Sequence, residues 1–294
     1  MDESVLTPDG TDLRIGDFSV RCSARTKLNG KVFQLPISFM AFQQKTGTSS
    51  DFQFVVDEDF SSDGGEEFFR ADNYMNHGMS RRRDGGIDWN AYASDDSTAI
   101  QMHILNDWHD LILSRNVLPE VYLKREISFA FNYMALLHGA CVFHGVIMEY
   151  EGKGILVMAH SGVGKTTHTR MWRDQENALI LNGDRCLCRK LDGIWYAYGM
   201  PWCGTSGEYI NRRVPVSCVV MLDRGETNFV RRIDPYAASM YLMERIIAPL
   251  WESRMRENAI NDCIEFSELF PVLQLYCTPE KESVQVLKEA ILSL

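Results

Sequence analysis

The sequence has little positive charge, no paired cysteine motif and no uninterrupted apolar run of membrane length, and each absence narrows its function. Thirty Lys and Arg against 40 Asp and Glu leave a formal net charge of −10. That balance argues against nucleic acid or an anionic membrane as the main partner. The eight cysteines include no C-x-x-C pair. Cys186 and Cys188 form a C-x-C that strand alternation would point to one face, and no second cluster completes a metal site. They read as reduced thiols of a cytoplasmic protein. Residues 127–148 carry no charge, but Asn132, His138, Gly139 and His144 interrupt them. The stretch reads as a buried helix followed by a strand, not as a membrane span. The opening Met1-Asp2-Glu3-Ser4 lacks the basic and apolar segments of a signal peptide.

What is present suits a globular chain: 294 residues, 45% hydrophobic and 24% charged, enough for one large domain or two of ordinary size. Residues 1–118 read as a β-rich module of short alternating strands such as Asp17-Phe18-Ser19-Val20-Arg21-Cys22 and Phe52-Gln53-Phe54-Val55-Val56. Gly- and Asp-rich breaks separate them, and the last strand ends near Ile104. The Arg81-Arg82-Arg83 cluster beside Asp84-Gly85 reads as a solvated loop. From 119 to 294 the pattern turns mixed. A helix over 120–137 leads to a strand over 141–150, a tight turn and a strand over 155–159. Further strands are expected over 178–182, 186–190, 194–199, 214–223 and 272–277, with helices over 165–174, 235–249, 252–270 and 280–294. The fold class is therefore α/β with mixed α+β character: a hairpin-containing mixed sheet flanked by helices, plus the β-rich module.

The most informative segment is Gly154-Ile155-Leu156-Val157-Met158-Ala159-His160-Ser161-Gly162-Val163-Gly164-Lys165-Thr166-Thr167. An apolar run, a glycine-bearing turn and Lys-Thr opening a helix follow the order of a P-loop, or Walker A motif. Ala159 stands where the strict pattern has Gly. The amides of Ser161, Gly162, Val163 and Gly164 would cradle a polyphosphate, with Lys165, Thr166 and Thr167 completing the nucleotide contacts. Lys165 would reach the outer phosphates and Thr166 would hold Mg²⁺.

Three further features stand near this motif. His144 lies on the strand preceding it, either packed there or turned toward the transferred phosphate. Asp184 follows the apolar strand 178–182, as a turn residue or as a Mg²⁺ ligand and hydroxyl-activating group. Glu208, Arg212 and Arg213 lie in a Gly/Pro-punctuated loop that is either ordinary surface or a holder of nucleotide or substrate.

Together, His144-Gly145-Val146, Gly152-Lys153-Gly154, the 159–166 motif and Leu181-Asn182-Gly183-Asp184-Arg185 resemble the catalytic domain of the HPr kinase/phosphorylase family, whose core is similar to that of phosphoenolpyruvate carboxykinase. The resemblance covers about residues 142–222. It implies an ATP- and Mg²⁺-dependent kinase that transfers the γ-phosphate to a hydroxyl, that of a serine in a protein or peptide, with His144, Lys165 and Asp184 catalytic. The family has two adjacent acids where this chain has Gly183-Asp184, and its Arg-Gly-Leu-Gly type segment is replaced by Pro201-Trp202-Cys203-Gly204. The resemblance therefore does not extend to phosphorylase activity or to HPr as substrate, and a short chain with no recognisable oxaloacetate site does not suggest carboxykinase activity. A non-catalytic nucleotide-binding sensor and a small-molecule kinase remain alternatives, and no oligomeric state follows from the sequence.

The motif makes a direct prediction. Lys165→Ala should weaken Mg·ATP binding by about 1.5–3 kcal/mol, the range for losing a charge-assisted contact. Calorimetry giving equal affinity for variant and parent would remove Lys165 from the phosphate site.

Overall fold

The computed structural model describes residues 4–45, 47, 49–71, 76–249 and 251–294. The chain forms two compact units, Met1–Met134 and Ala135–Leu294.

The first unit contains β1 (Thr11–Ile15), β2 (Phe18–Ala24), a short α1 (Ile37–Met40), β3 (Phe52–Val56), β4 (Gly65–Ala71), β5 (His77–Arg82), β6 (Ile87–Tyr92), β7 (Thr98–Leu105) and β8 (Asp110–Asn116). Helix α2 (Glu120–Leu136) follows. The strands form one eight-stranded sheet in the order β1-β2-β3-β8-β7-β6-β5-β4. β8 extends the sheet past Ile104, where the sequence pattern ended it. Alternation along β2 buries Phe18, Val20, Cys22 and Ala24 on one face, as a half-covered strand requires.

The division after Met134 differs from the boundary expected at 118/119, and packing is the cause. Phe131 of α2 meets the rings of Phe18 and Phe52 at 6.2 and 5.8 Å. Tyr133 stacks on Trp89 at 5.6 Å. The aromatic side of the helix thus belongs to the core of the first unit.

Two polar networks lie inside this unit. Asp88, His103 and Ser114 sit on the adjacent strands β6, β7 and β8. His103 Nδ1 lies 2.7 Å from Asp88 Oδ1, and Nε2 lies 2.7 Å from Ser114 Oγ. All three are buried, and the Phe60 ring lies 4.6 Å from the imidazole. The linkage braces three strands while satisfying buried polar groups. Burial raises the Asp88 pKa, but bonds from His103 and Ser62, with the charges of His103 and Arg82, hold it below the usual range. Arg82 itself corrects the expectation of a solvated arginine loop. Its side chain is only 8% exposed, 2.6 Å from Asp84 and 3.8 Å from both Asp63 and Asp88.

The second network is Glu126, whose Oε2 accepts from Trp89 Nε1 at 2.7 Å. Burial pushes its carboxyl up from 4.5 to about 7, against the Trp89 bond and the Arg125 charge.

In the second unit the elements are β9 (Ala140–His144), β10 (Val146–Tyr150), β11 (Lys153–Met158), α3 (Lys165–Glu176), β12 (Leu179–Asn182), β13 (Arg185–Leu191), β14 (Ile194–Tyr198), β15 (Arg213–Arg224), β16 (Phe229–Arg232), α4 (Pro235–Met243), α5 (Ser253–Leu269), β17 (Val272–Cys277) and α6 (Glu282–Leu292). The main path runs β12-β10-β11-β15-β14-β13-β9, with β17 added on β15 and β16 on β17. β11, β15 and β17 are parallel neighbours, whereas the other pairings are antiparallel. The sheet is mixed and flanked by helices, as the hairpin pattern implied.

Trp172 of α3 and Val284, Leu287 and Ile291 of α6 pack with Val146, Val157, Val220 and Leu273 in one buried cluster. Phe266 of α5 contacts Phe143 and Trp195 at 5.2 and 4.8 Å. Among the described residues no helix is long and apolar enough to cross a membrane.

Glu126 makes the first unit sensitive to pH. Its folded-state pKa lies above its unfolded one, so the folded chain binds the extra proton, and stability falls as pH rises from 4.5 through about 7. Glu126→Gln should remove that slope while keeping an acceptor for Trp89. Urea midpoints at about pH 5 and about pH 8 check this. Equal losses in variant and parent would exclude Glu126 as the source.

Candidate active site

The turn between β11 and α3, residues 159–164, is where the sequence motif expects an anion. Gly162 and Gly164 take φ of 78° and 124°, in the region open to glycine. Gly164 is the N-cap of α3, no side chain caps that helix, and its first turn holds no acid. The orphan amides and the positive end of the helix dipole are thus left for an external partner. Lys165 folds back, donating from Nζ to the Ala159 carbonyl at 3.0 Å. Ser161, Gly162 and Thr167 are exposed, whereas Val163, Gly164, Lys165 and Thr166 are partly buried.

His144 and Asp184 converge, by a route the sequence pattern did not anticipate. The expected strand over 141–150 breaks at Gly145. On one side His144 pairs with Arg185 of β13, and on the other Val146 pairs with Val157 of β11. Gly145 N donates to the Asp184 carbonyl at 3.0 Å. Close packing explains the residue: a Cβ there would meet the Val157 carbonyl oxygen at 2.9 Å. His144 therefore sits beside the Asp184 turn, with Nδ1 3.6 Å from Asp184 Oδ1.

The turn itself is built by Asn182. Its buried amide donates to the Met200 and Trp202 carbonyls at 2.9 and 3.0 Å. Its oxygen accepts from the Asp184 and Arg185 amides at 2.9 and 2.8 Å. One side chain thereby ties the 199–204 loop to the backbone of the turn that carries Asp184. At Gly204 a Cβ would come within 2.7 Å of the Asp184 carboxyl carbon, so the loop lies directly on this acid. Asp184 Oδ2 also accepts from Arg185 Nε at 3.0 Å.

Gly183 is closely packed by the neighbouring loop. A Cβ at 183 would lie 2.1 Å from Ser206 Oγ and 3.3 Å from Glu208 Oε2. The space is filled by Ser206, and a carboxylate arrives from the other chain segment. Glu208 Oε1 pairs with Arg170 and Arg173 at 3.2 and 3.1 Å, while its Oε2 is buried without a hydrogen-bond partner.

Electrostatics draw the same residues together. Burial lowers the His144 pKa, Lys165, Arg185 and Arg245 lower it further, and Asp184 opposes them. Burial likewise lowers Lys165, with Asp184 opposing and Arg245 adding to the shift. Arg245 was not apparent from the sequence. It follows α4 in the chain, its carbonyl accepts from the His144 amide at 2.8 Å, its side chain is 10% exposed, and its Nε is buried without a hydrogen-bond partner. The only signal for it was a cationic residue after a helix, which any surface would show. Arg212 and Arg213 are engaged differently: Arg212 pairs with Glu149 at 2.6 Å, and Arg213 lies 4.7 Å over the Tyr196 ring.

The Arg245 charge disfavours the ionised form of Lys165, and a bound anion would offset that. Among the described residues no three His, Cys, Asp or Glu side chains converge into a metal centre. Asp184, Thr166 and the unpartnered Glu208 oxygen are hard donors of the kind Mg²⁺ takes when phosphates supply the remaining ligands.

Asn182 should carry unusual weight for a neutral residue. Asn182→Ala strands two carbonyls and two amides, an expected loss of about 2–4 kcal/mol. Chemical denaturation measures it, and a change below about 0.5 kcal/mol would mean that these groups find other partners.

No family model matches the sequence, nor does any curated protein sequence. Among solved structures the chain is similar to the Hpr(Ser) kinase/phosphatase from Coxiella burnetii, with 8% identity over 52% of this chain and 91% of that one, at a TM-score of 0.33.

Proposed function

We propose that the second unit is an ATP-dependent kinase that transfers the γ-phosphate to a hydroxyl, with a serine of a protein or peptide as acceptor. The observation that carries this reading is the 3.6 Å approach of His144 to Asp184, both electrostatically coupled to Lys165 at the start of the uncapped helix α3. An anion site and a proton-accepting pair in one place are what phosphoryl transfer needs.

In this reading the 161–164 amides and Lys165 hold the phosphates. Arg245 neutralises charge that develops on the transferring group. Thr166 and Asp184, with Glu208 as a second carboxylate, would hold Mg²⁺, which screens the phosphate charge when bound. Burial, with its cationic neighbours and against Asp184, biases His144 toward its neutral form. His144 can therefore orient the acceptor hydroxyl or take its proton without first losing one of its own. Asp184 orients the same hydroxyl. Catalysis is chiefly positioning and charge neutralisation.

Asp184→Asn should abolish transfer of labelled phosphate while ATP binding largely persists. His144→Ala should slow transfer by about 10²–10⁴-fold with little change in melting temperature or ATP affinity. Transfer at the parental rate in either variant would remove that residue from the mechanism. A parent that binds ATP but phosphorylates no serine-containing candidate would favour a nucleotide sensor.

A further inference from the structure

A cavity of about 430 Å³ opens beside the 159–164 turn, lined by Gly162, Val163, Gly164 and residues of α3, and by the segments that end β15 and β17. Its position follows from the topology. β11, β15 and β17 are parallel neighbours, and ligands bind in the crevice outside the carboxyl ends of such strands. Its volume falls within the range of small-molecule sites.

The lining is chemically divided. Val163, Met171, Leu222 and Cys277 supply apolar surface. Arg224 stands at the end of β15, donating from Nη2 to the Gly162 carbonyl at 2.5 Å. Its planar guanidinium is suited to stack on a heterocycle. Thr278 is held by Asn228, with its amide donating to Asn228 Oδ1 at 2.9 Å and its Oγ1 accepting from Nδ2 at 3.3 Å. A hydroxyl so fixed is a ready hydrogen-bonding partner for a polar edge.

We propose that this cavity receives the nucleoside end of the nucleotide, its base against Met171, Leu222 and Arg224 and its polar edge toward Thr278. The inference rests on the nucleotide reading and adds where the base goes and which residues select it. Because Gly162–Gly164 form part of the wall, a ligand with its phosphates on the loop amides has its other end at the cavity mouth. The Arg224–Gly162 bond couples the two parts: a base packed on Arg224 steadies the loop that holds the phosphates.

Inorganic tripolyphosphate and ATP separate the two readings, because only ATP carries a nucleoside. Calorimetry on the full chain with Mg²⁺ should give ATP about tenfold or more tighter binding than tripolyphosphate, from the apolar area it buries. ATP, but not tripolyphosphate, should protect the half-buried Cys277 from N-ethylmaleimide, followed by mass spectrometry of its peptide. Met171→Trp, which fills the cavity, should bring ATP affinity down to that of tripolyphosphate and leave tripolyphosphate binding unchanged. Equal affinities in the parent with no protection of Cys277 would overturn this inference and leave the phosphate site standing. Failure of both ligands to bind would overturn it together with the nucleotide reading. If Met171→Trp misfolds, the comparison in the parent protein decides.

Discussion

The second unit is organised around one buried amide. Asn182 has four hydrogen bonds to give and accept, and it uses them on two separate chain segments. That side chain holds the Met200 and Trp202 carbonyls against the 183–185 turn. The turn fixes where Asp184 points, and the Asp184 carbonyl in turn receives the Gly145 amide. That last bond bridges the break between β9 and β10, which is where His144 sits. A buried network of this kind is cooperative, since each satisfied group orients the next in a medium of low dielectric.

The same arrangement requires glycine at 183. Gly183 leaves room for Ser206 and for the backbone of the 206–208 segment, whose Glu208 carbonyl accepts from the Gly183 amide at 3.1 Å. Glu208 then brings a carboxylate oxygen to within reach of the position a side chain at 183 would occupy. A local motif has no access to that approach, because the two residues are twenty-five positions apart in the chain (208 − 183 = 25).

The first unit shows a different economy. Its sheet carries a fully buried Asp–His–Ser linkage and a buried glutamate, each tied to a neighbour by hydrogen bonds. These groups brace strands and anchor α2, and they keep their polar character at a cost in desolvation that shows in the raised Glu126 pKa. The Ser114 hydroxyl is enclosed, so this linkage serves packing, whatever its likeness to nucleophilic triads.

The sequence by itself determined most elements of the second unit, although it gave no strand at Phe229–Arg232 and carried the helix that ends at Met243 on to 249. Strand Val272–Cys277 lies where its apolar run placed it, and the helix opening at Lys165 begins at the expected residue, because glycine-bearing turns and periodic apolar runs are local signals. Motif order offered Lys165 as a candidate, the end of an apolar strand offered Asp184, and the resemblance offered His144. Tertiary structure alone decided the rest. It split the strand at Gly145, moved α2 to the first unit through ring contacts with Phe18, Phe52 and Trp89, and brought in Asn182 and Arg245. It also sank Arg82 among three carboxylates. Each of these depends on contacts between residues far apart in the chain, and neither propensity nor spacing encodes which distant atom will fill a given space.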